Sequence, residues 1–155
     1  PTMSTAAIQG GVSRGIEPML GACFVQSTTG GEEIRVNPAF LTLMKARGVY
    51  SKKLVKEIAD NNGSVQNQDW LSDHEKLVFK TAFEIQQEVI IRYANQRGRY
   101  ICQGQSLNLF VDADSKEGLI ARLHRLIIES EFILSAYYLR SQAGVEASTG
   151  CVACQ

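Results

Sequence analysis

The last third of the chain alternates between apolar strand-like segments and an amphipathic helix, and this alternation limits the possible folds more than any other feature. Gln105–Val111 predicts a strand, Ser115 opens a helix with leucine and isoleucine at helical spacing, and the apolar run Phe132–Ser141 predicts a second strand. Two strands joined through a helix form the crossover unit of a parallel sheet. The sequence therefore predicts an α/β fold.

The first two thirds of the chain predict one hairpin followed by helices. Strand-like segments at residues 22–26 and 33–36 flank a Thr-Thr-Gly-Gly turn, which is typical of a β-hairpin. Capping residues and apolar periodicity predict helices that begin after Asn37, after Ser51, after Ser72 and at Phe83. We interpret these helices as scaffold.

Composition and charge exclude several classes of function. The chain has 155 residues with 16 basic and 16 acidic side chains, and 45% of its residues are hydrophobic, which is typical of a globular domain. A zero net charge gives no reason to expect a nucleic-acid or membrane partner, and no apolar run is long enough to span a bilayer. Four cysteines with a single closely spaced pair indicate a reducing compartment. We therefore expect a cytoplasmic protein.

Tyr137 and Tyr138 are adjacent phenols near the end of the second predicted strand. Neighbouring strand residues point to opposite faces, so one ring can pack in a core while the other lies at a surface. The alternative is that the phenols carry electrons. A phenol with a pKa of about 10 is neutral at pH 7, and moving its proton together with the electron avoids leaving a buried cation. Both interpretations stay open from these residues alone.

Residues 141–155 form a tail of mostly small side chains with no apolar period that could bury them. The tail carries a Cys-x-x-Cys pair, Cys151 and Cys154. A coil of about ten residues has a root-mean-square span of about 17 Å and reaches about 35 Å when stretched. The pair is therefore predicted to sit on a flexible tether.

Several kinds of site use such a cysteine pair. A zinc site needs two further ligands, and Cys23, Cys102, His74 and His124 offer no second closely spaced pair, so no metal site is predicted. A thioredoxin-like site places the pair at a helix start, whereas here only one residue follows the pair. A mobile dithiol that exchanges with a buried disulfide and an external reductant fits better. An exposed tail with incidental thiols is the remaining alternative.

Short motifs recur along nearly the whole chain in the order of one known enzyme family. One is Tyr137-Tyr138-Leu-Arg before a tail that ends in Cys151-x-x-Cys154. The others are Pro1-Thr-Met-Ser-Thr-Ala6, Gly15-Ile-Glu-Pro18, Val36-Asn-Pro38, Asn61-Asn-Gly-Ser64 and Arg97-Gly-Arg-Tyr-Ile-Cys-Gln-Gly-Gln-Ser-Leu-Asn-Leu109. Together they resemble the C-terminal part of the large, catalytic (alpha) subunit of class I ribonucleotide reductase.

The resemblance implies the architecture in more detail. Residues 1–140 would form the C-terminal portion of the family's ten-stranded α/β barrel, which is not a self-sufficient domain, and residues 141–155 would be a flexible, redox-active tail. Gln105 and Asn108 would either line the barrel interior or serve in ladder and core packing. The family's thiyl-forming cysteine, in an Asn-Leu-Cys-x-Glu-like setting, has no match in this sequence. We therefore expect a natural fragment of a split subunit or a trimmed piece, with a partner that carries the remaining N-terminal part.

The resemblance also implies chemical roles. Tyr138 would receive a radical from the small, radical-generating subunit, and Tyr137 would pass it to the thiyl cysteine. The family stacks these rings, so the backbone there is expected to depart from a regular strand. Cys151 and Cys154 would reduce the active-site disulfide formed at each turnover and be reset by thioredoxin or glutaredoxin. No cofactor would bind this chain directly, because the metal/radical cofactor is expected in the small subunit.

The first residues of the chain suggest an anion site. Residues 1–9 predict a helix start, where hydroxyl groups and free backbone amides favour negative charge. An ordinary hydroxyl N-cap is the other interpretation. The resemblance implies that this segment holds the diphosphate of a ribonucleoside diphosphate substrate. The residues concerned are Pro1, Thr2, Met3, Ser4 and Thr5.

The predicted function is the reduction of ribonucleoside diphosphates to deoxyribonucleotides by radical chemistry, carried out jointly with the partner subunits. Two alternatives stay open. Met3, Ala6 and Cys102 depart from the family's pattern, which leaves an assembly module that only completes a split large subunit. The cysteine pair taken alone would also suit a stand-alone dithiol oxidoreductase.

Overall fold

The structure, a computed structural model, describes residues 8–9, 15–28 and 31–141. These residues divide into two units, the first ending at Glu84 and the second beginning at Ile85. The two units are described separately below.

The first unit opens with the predicted hairpin. Strand β1 (Cys23–Thr28) pairs antiparallel with strand β2 (Gly31–Val36), and Cys23 lies opposite Val36 at the open end. The helices that follow are α1 (Pro38–Ala46), α2 (Lys52–Asp60) and α3 (Asp73–Val78). The predicted hairpin and the predicted starts of these helices are confirmed.

Local capping chemistry explains where these helices begin. The side-chain oxygen of Asn37 accepts hydrogen bonds from two backbone amides of the first turn of α1, at 2.9 and 3.2 Å. Ser51 caps α2 in the same way. Ser72 and Glu75 form a reciprocal capping box at α3, so that two otherwise unpaired backbone amides gain acceptors.

The core of the first unit lies between the hairpin and the helices. Its buried members are Ala22, Cys23, Phe40, Met44, Val55, Ile58, Val65 and Leu71. The chain leaves α2 through Gly63, whose φ of +72° and close approach to β1 both require glycine, since a Cβ there would lie 2.6 Å from the carbonyl oxygen of Cys23. Asn62 also takes a positive φ, of 54°, so a left-handed turn ends α2.

The second unit contains the predicted parallel crossover. Its elements are α4 (Gln87–Gly98), β3 (Leu109–Val111), α5 (Glu117–Ile128) and β4 (Leu139–Ser141). Strands β3 and β4 are parallel, with Leu109 opposite Leu139 and Val111 opposite Ser141. Helix α4 packs against α5, and Glu88 and Arg122 pair across them at 2.7 Å. The apolar residues buried in this unit are Ile90, Ile91, Ala94, Leu107, Leu109, Phe110, Val111, Leu123, Ile127 and Ile133.

Several predicted boundaries in the second unit are wrong. The strand predicted over Gln105–Val111 is limited to Leu109–Val111. The side-chain amide of Gln105 donates to the backbone carbonyl oxygen of Ala94 in α4 at 2.8 Å, so this side chain is held against the helix.

Two helix starts also differ from prediction. The helix predicted from Phe83 begins at Gln87, because residues 81–84 form a hydrogen-bonded turn. Ser115 does not open α5, because its backbone amide closes a turn with a carbonyl three residues earlier. Lys116 takes the cap position without a side-chain hydrogen bond. Both helices begin later than predicted because the residues predicted to start them form turns instead.

Candidate functional site

The rings of Tyr137 and Tyr138 lie against each other. Their centroids are 4.0 Å apart with an angle of 52° between the planes, and the hydroxyl oxygens are 3.2 Å apart, with Tyr138 as donor. Strand β4 begins only at Leu139, so the prediction that these tyrosines belong to a strand is wrong. Successive strand residues point to opposite faces, and leaving that geometry allows the two phenols to meet.

Backbone hydrogen bonds explain this departure. The amide of Tyr137 donates to the carbonyl oxygen of Leu107 at 2.8 Å, and the amide of Tyr138 donates to the side-chain oxygen of Asn108 at 3.0 Å. Successive amides of a regular strand point to opposite sides, whereas here both donate to the same neighbouring segment. The carbonyl oxygen of Tyr138 then accepts from the amide of Leu109 at 2.8 Å, which leads into the β3–β4 pairing.

The segment that leads to the tyrosines is anchored at Phe132 on the end of α4. The amide of Phe132 donates to the side-chain oxygen of Asn95 at 2.9 Å. The guanidinium carbon of Arg99 lies 5.5 Å from the centre of the Phe132 ring. Gly98 lies so close to Phe132 that a Cβ would overlap its backbone. The segment from Phe132 to Tyr138 is thus fixed at both ends by residues distant in sequence.

Arg140 sets the electrostatics beside the tyrosine pair. Its guanidinium carbon lies 5.1 Å from the centre of the Tyr138 ring. A cation over a ring face opposes positive charge on that ring. If Tyr138 were oxidised, loss of its phenolic proton together with the electron would avoid this unfavourable charge, and its hydroxyl group lies in contact with that of Tyr137.

Exposure differs between the two phenols. The side chain of Tyr137 is exposed, at 51% of its full accessible surface, whereas Tyr138 is partly buried. Other large apolar or aromatic side chains of the second unit are exposed as well, namely Tyr93, Tyr100, Ile128, Leu134 and Leu139. An assembly that covered Tyr137 would exclude water from its phenol.

The sequence did not assign Asn108, Asn95 and Arg140 to the tyrosine pair. Asn108 is 8% exposed, and its side chain hydrogen-bonds to the backbone of Tyr138. Asn108 is the one polar residue in the apolar run 107–111, and a polar side chain in such a run is expected to have a hydrogen-bond partner. No sequence signal links Asn95 to Phe132, which lies 37 residues away.

The other predicted site residues lie outside the described residues. These are Pro1, Thr2, Met3, Ser4 and Thr5 of the predicted diphosphate site and Cys151 and Cys154 of the predicted dithiol. Their roles stay predictions.

The two described cysteines differ sharply in environment. Cys23 is fully buried in the core of the first unit, and desolvation by this burial raises the pKa of its thiol to about 12. Cys102 is exposed, and neither residue is in a disulfide. Cys23 is therefore a packing residue whose thiolate is disfavoured.

The described residues contain neither a cluster of metal-ligating side chains nor a membrane-spanning helix. Within residues 8–9, 15–28 and 31–141, no three His, Cys, Asp or Glu side chains lie close enough together to hold a metal ion. None of the described helices is both long enough and apolar enough to cross a membrane.

Comparisons with known proteins agree along nearly the whole chain. Residues 1–132 match the family described as ribonucleotide reductase, barrel domain. A protein of Frog virus 3 (isolate Goorha) assigned as a ribonucleoside-diphosphate reductase large subunit is 36% identical over 98% of this chain and 29% of its own length. The ribonucleoside-diphosphate reductase large subunit of Danio rerio is 34% identical over 93% of this chain and 18% of its own length.

A solved structure agrees with the sequence comparisons. The alpha subunit of the Actinobacillus ureae class Id ribonucleotide reductase matches with a TM-score of 0.74 and 33% sequence identity, covering 92% of this chain and 25% of that subunit. The chain thus spans less than a third of the length of each of these relatives.

Proposed function

The chain belongs to the ribonucleotide reductase family, and from this membership we propose that it acts as part of a ribonucleoside-diphosphate reductase large subunit, converting ribonucleotides to deoxyribonucleotides by radical chemistry. The family resemblance and the prediction of a partial α/β barrel are confirmed. Because the chain spans 29% or less of these relatives, the proposed activity requires the remaining N-terminal part of the large subunit. It also requires a small, radical-generating subunit.

The contact between the two phenols is the observation that carries this proposal. In the proposed step, an oxidant in the small subunit removes one electron and the phenolic proton from Tyr138. Tyr137 then gives its hydroxyl hydrogen, a proton and an electron together, to the oxygen of Tyr138. The O–H bond of Tyr137 breaks as that of Tyr138 forms again, and the radical moves to Tyr137. Tyr137 would recover its hydrogen from a thiol on the remaining part of the large subunit.

The geometry of the phenols supports this transfer. The oxygens are 3.2 Å apart, somewhat beyond the common O–H···O distance of about 2.7–2.8 Å, so a small approach brings them into strong hydrogen-bond range. Arg140 opposes a charged intermediate on the Tyr138 ring. Coupled movement of the proton and electron avoids that intermediate, because no net charge remains on either ring.

The ends of the chain complete the proposal. Pro1, Thr2, Met3, Ser4 and Thr5 would bind the substrate's diphosphate through hydroxyls and backbone amides. Cys151 and Cys154 would reduce the active-site disulfide by thiol–disulfide exchange, and thioredoxin or glutaredoxin would reduce them in turn. The radical-generating metal cofactor would belong to the small subunit. We place the complete enzyme in the cytoplasm, where free thiols persist.

The direct test is reduction of a ribonucleoside diphosphate by the complex of this chain, the remaining large-subunit part and the small subunit. Tyr137→Phe and Tyr138→Phe keep the rings but remove the transferable hydrogen, so each should abolish turnover. Tyr100→Phe alters an exposed tyrosine outside the pair and should retain turnover. Full turnover in Tyr137→Phe would contradict the proposed transfer.

Replacement of the tail cysteines tests their separate role. Cys151→Ser combined with Cys154→Ser should abolish turnover supported by thioredoxin while dithiothreitol still supports it, because a small dithiol can reach the active-site disulfide directly. Unchanged turnover with thioredoxin would remove the dithiol from the proposal.

Substrate affinity distinguishes the proposed enzyme part from an assembly module. A chain that contributes the diphosphate site should raise the affinity of the large-subunit complex for a ribonucleoside diphosphate, and Ser4→Ala with Thr5→Ala should reverse that gain. A chain that only completes the fold would raise the stability of its partner and leave the affinity unchanged.

A further inference from the structure

We infer that Asn108 is a positioning residue for the tyrosine pair, because its side chain holds the backbone of Tyr138 in the conformation that brings the two phenols together. The effect on turnover rests on the proposed radical transfer, whereas the effect on ring position does not. Asn108 touches the backbone of Tyr138 and acts through it.

The placement of Asn108 makes its side chain a specific anchor. It is 8% exposed, and its side-chain oxygen accepts from the amide of Tyr138 at 3.0 Å, across 30 residues of sequence. Removing the side-chain oxygen of Asn108 would take this acceptor from the Tyr138 amide at a part-buried position, where a lost hydrogen bond is not fully replaced by water. The hydrogen bond to Asn108 therefore holds the Tyr138 amide in this orientation.

The orientation of the Tyr138 amide determines where its ring lies. Tyr137 already donates to Leu107 on the same neighbouring segment. Loss of the bond to Asn108 removes the contact that holds the Tyr138 amide on this side, so the backbone can turn to the regular-strand orientation. That rotation carries the ring of Tyr138 to the face opposite Tyr137, since successive strand side chains alternate. The ring contact at 4.0 Å would then be lost.

Gln87 provides a matched control in the same unit. Its side chain is also buried, at 5% exposure, and its side-chain oxygen accepts from the backbone amide of Phe110 at 2.8 Å. Asn108→Leu and Gln87→Met each remove one buried side-chain acceptor, the first from the backbone N–H of Tyr138 just before β4 and the second from that of Phe110 in β3. Only the first removes the acceptor of a tyrosine amide.

Fluorine NMR measures the ring contact independently of activity. With 3-fluorotyrosine incorporated in place of Tyr137, the ring current of Tyr138 shifts the fluorine resonance, and Tyr138→Leu supplies the reference without that ring. In the full complex, Asn108→Leu should move the resonance toward this reference, whereas Gln87→Met should leave it in place. Asn108→Asp keeps an acceptor oxygen and should retain most of the shift.

Turnover gives the second readout. A misplacement of about 1 Å in a reacting group can lower the rate by about 100-fold, so Asn108→Leu should lower turnover on that order. Its effect should fall on the turnover number more than on the substrate KM, because diphosphate binding involves other residues. Asn108→Asp should restore much of the rate, and Gln87→Met should keep it.

Three results would overturn the inference. The first is an unmoved fluorine resonance in Asn108→Leu, and the second is an equal movement in Gln87→Met. The third needs no substitution: rapid hydrogen exchange of the Tyr138 amide in the unsubstituted complex would show that Asn108 does not hold it. A moved resonance with unchanged turnover would keep the positioning role and contradict the proposed radical transfer instead.

Discussion

Gly98 and Phe132 approach each other so closely that a Cβ on Gly98 would overlap both the Cβ and the carbonyl oxygen of Phe132. Gly98 is the last residue of α4, and Asn95 of the same helix accepts the amide hydrogen of Phe132. Phe132 begins the segment that ends at the tyrosine pair. The end of α4 therefore fixes one end of that segment, as Asn108 fixes the other.

The close contact between Gly98 and Phe132 predicts that Gly98→Ala lowers stability, although this substitution usually stabilises a helix. Alanine is normally favoured over glycine in a helix by about 1 kcal/mol. Here the added methyl group must displace Phe132, and overpacking costs about 1–3 kcal/mol. We expect the free energy of unfolding to fall, as measured by denaturant titration of the complex.

Gly118→Ala is the matched control for this prediction. Gly118 lies in the first turn of α5, and a Cβ there would meet nothing within 4 Å. This substitution should be neutral or stabilise by up to about 1 kcal/mol. The close approach at Gly98 would be contradicted if the two substitutions changed stability equally.

Cys23 and Cys102 should differ in reactivity. Iodoacetamide reacts with the thiolate, and burial raises the pKa of the Cys23 thiol to about 12. In the native protein at pH 8, peptide mapping by mass spectrometry should find Cys102 alkylated and Cys23 unmodified until denaturant is added. Labelling of native Cys23 at the rate of Cys102 would show that the core of the first unit is open.

The same pKa shift predicts how stability depends on alkaline pH. The folded protein favours the neutral thiol of Cys23, whereas an unfolded cysteine titrates near pH 8.5. This contribution to stability is complete below about pH 8.5 and is lost as the pH rises toward 12. Between pH 8 and pH 10 the free energy of unfolding should fall less steeply in Cys23→Ala than in the unsubstituted chain. Parallel pH profiles would contradict this.

Glu75 should stabilise the first unit only above acidic pH. Hydrogen bonds from the backbone and side chain of Ser72, followed by the nearby Arg47, lower the pKa of the Glu75 carboxyl group. Its folded pKa is lower than its unfolded pKa, so its contribution is present above about pH 4.3 and is lost as the pH falls through the folded value.

Acid titration of Glu75→Gln measures this contribution. The destabilisation caused by Glu75→Gln should be present at pH 6 and shrink as the pH falls below about 4. Fluorescence of Trp70, the single tryptophan of the chain, reports unfolding of the first unit. A destabilisation independent of pH would show that the carboxylate charge contributes nothing.

Local signals in the sequence were sufficient for much of the fold. Asn37, Ser51 and Ser72 cap helices through bonds to residues two or three positions away. The hairpin follows from its turn, and the parallel crossover follows from the order of strand, helix and strand. These features depend on interactions between near neighbours or on chain connectivity, which a sequence displays directly.

The exact conformation of the tyrosine pair was not predictable from local pattern. Strand propensity assigned Tyr137 and Tyr138 to a strand, yet hydrogen bonds to Leu107 and Asn108, about 30 residues earlier, override that propensity. Only the family resemblance predicted that the rings meet. The resemblance indicated Asn108 only as a residue of the barrel interior or of ladder and core packing, because its bond to Tyr138 is a contact that no motif encodes.

The most direct test of radical transfer places 3-aminotyrosine at position 137 in the complex with the small subunit. An aminophenol is oxidised more easily than a phenol and retains the radical. On addition of a ribonucleoside diphosphate, electron paramagnetic resonance should show an aminotyrosyl radical growing as the small-subunit radical declines, and Tyr138→Phe should prevent it. A radical at position 137 that still forms in Tyr138→Phe, or normal turnover with no such radical, would contradict transfer through the pair.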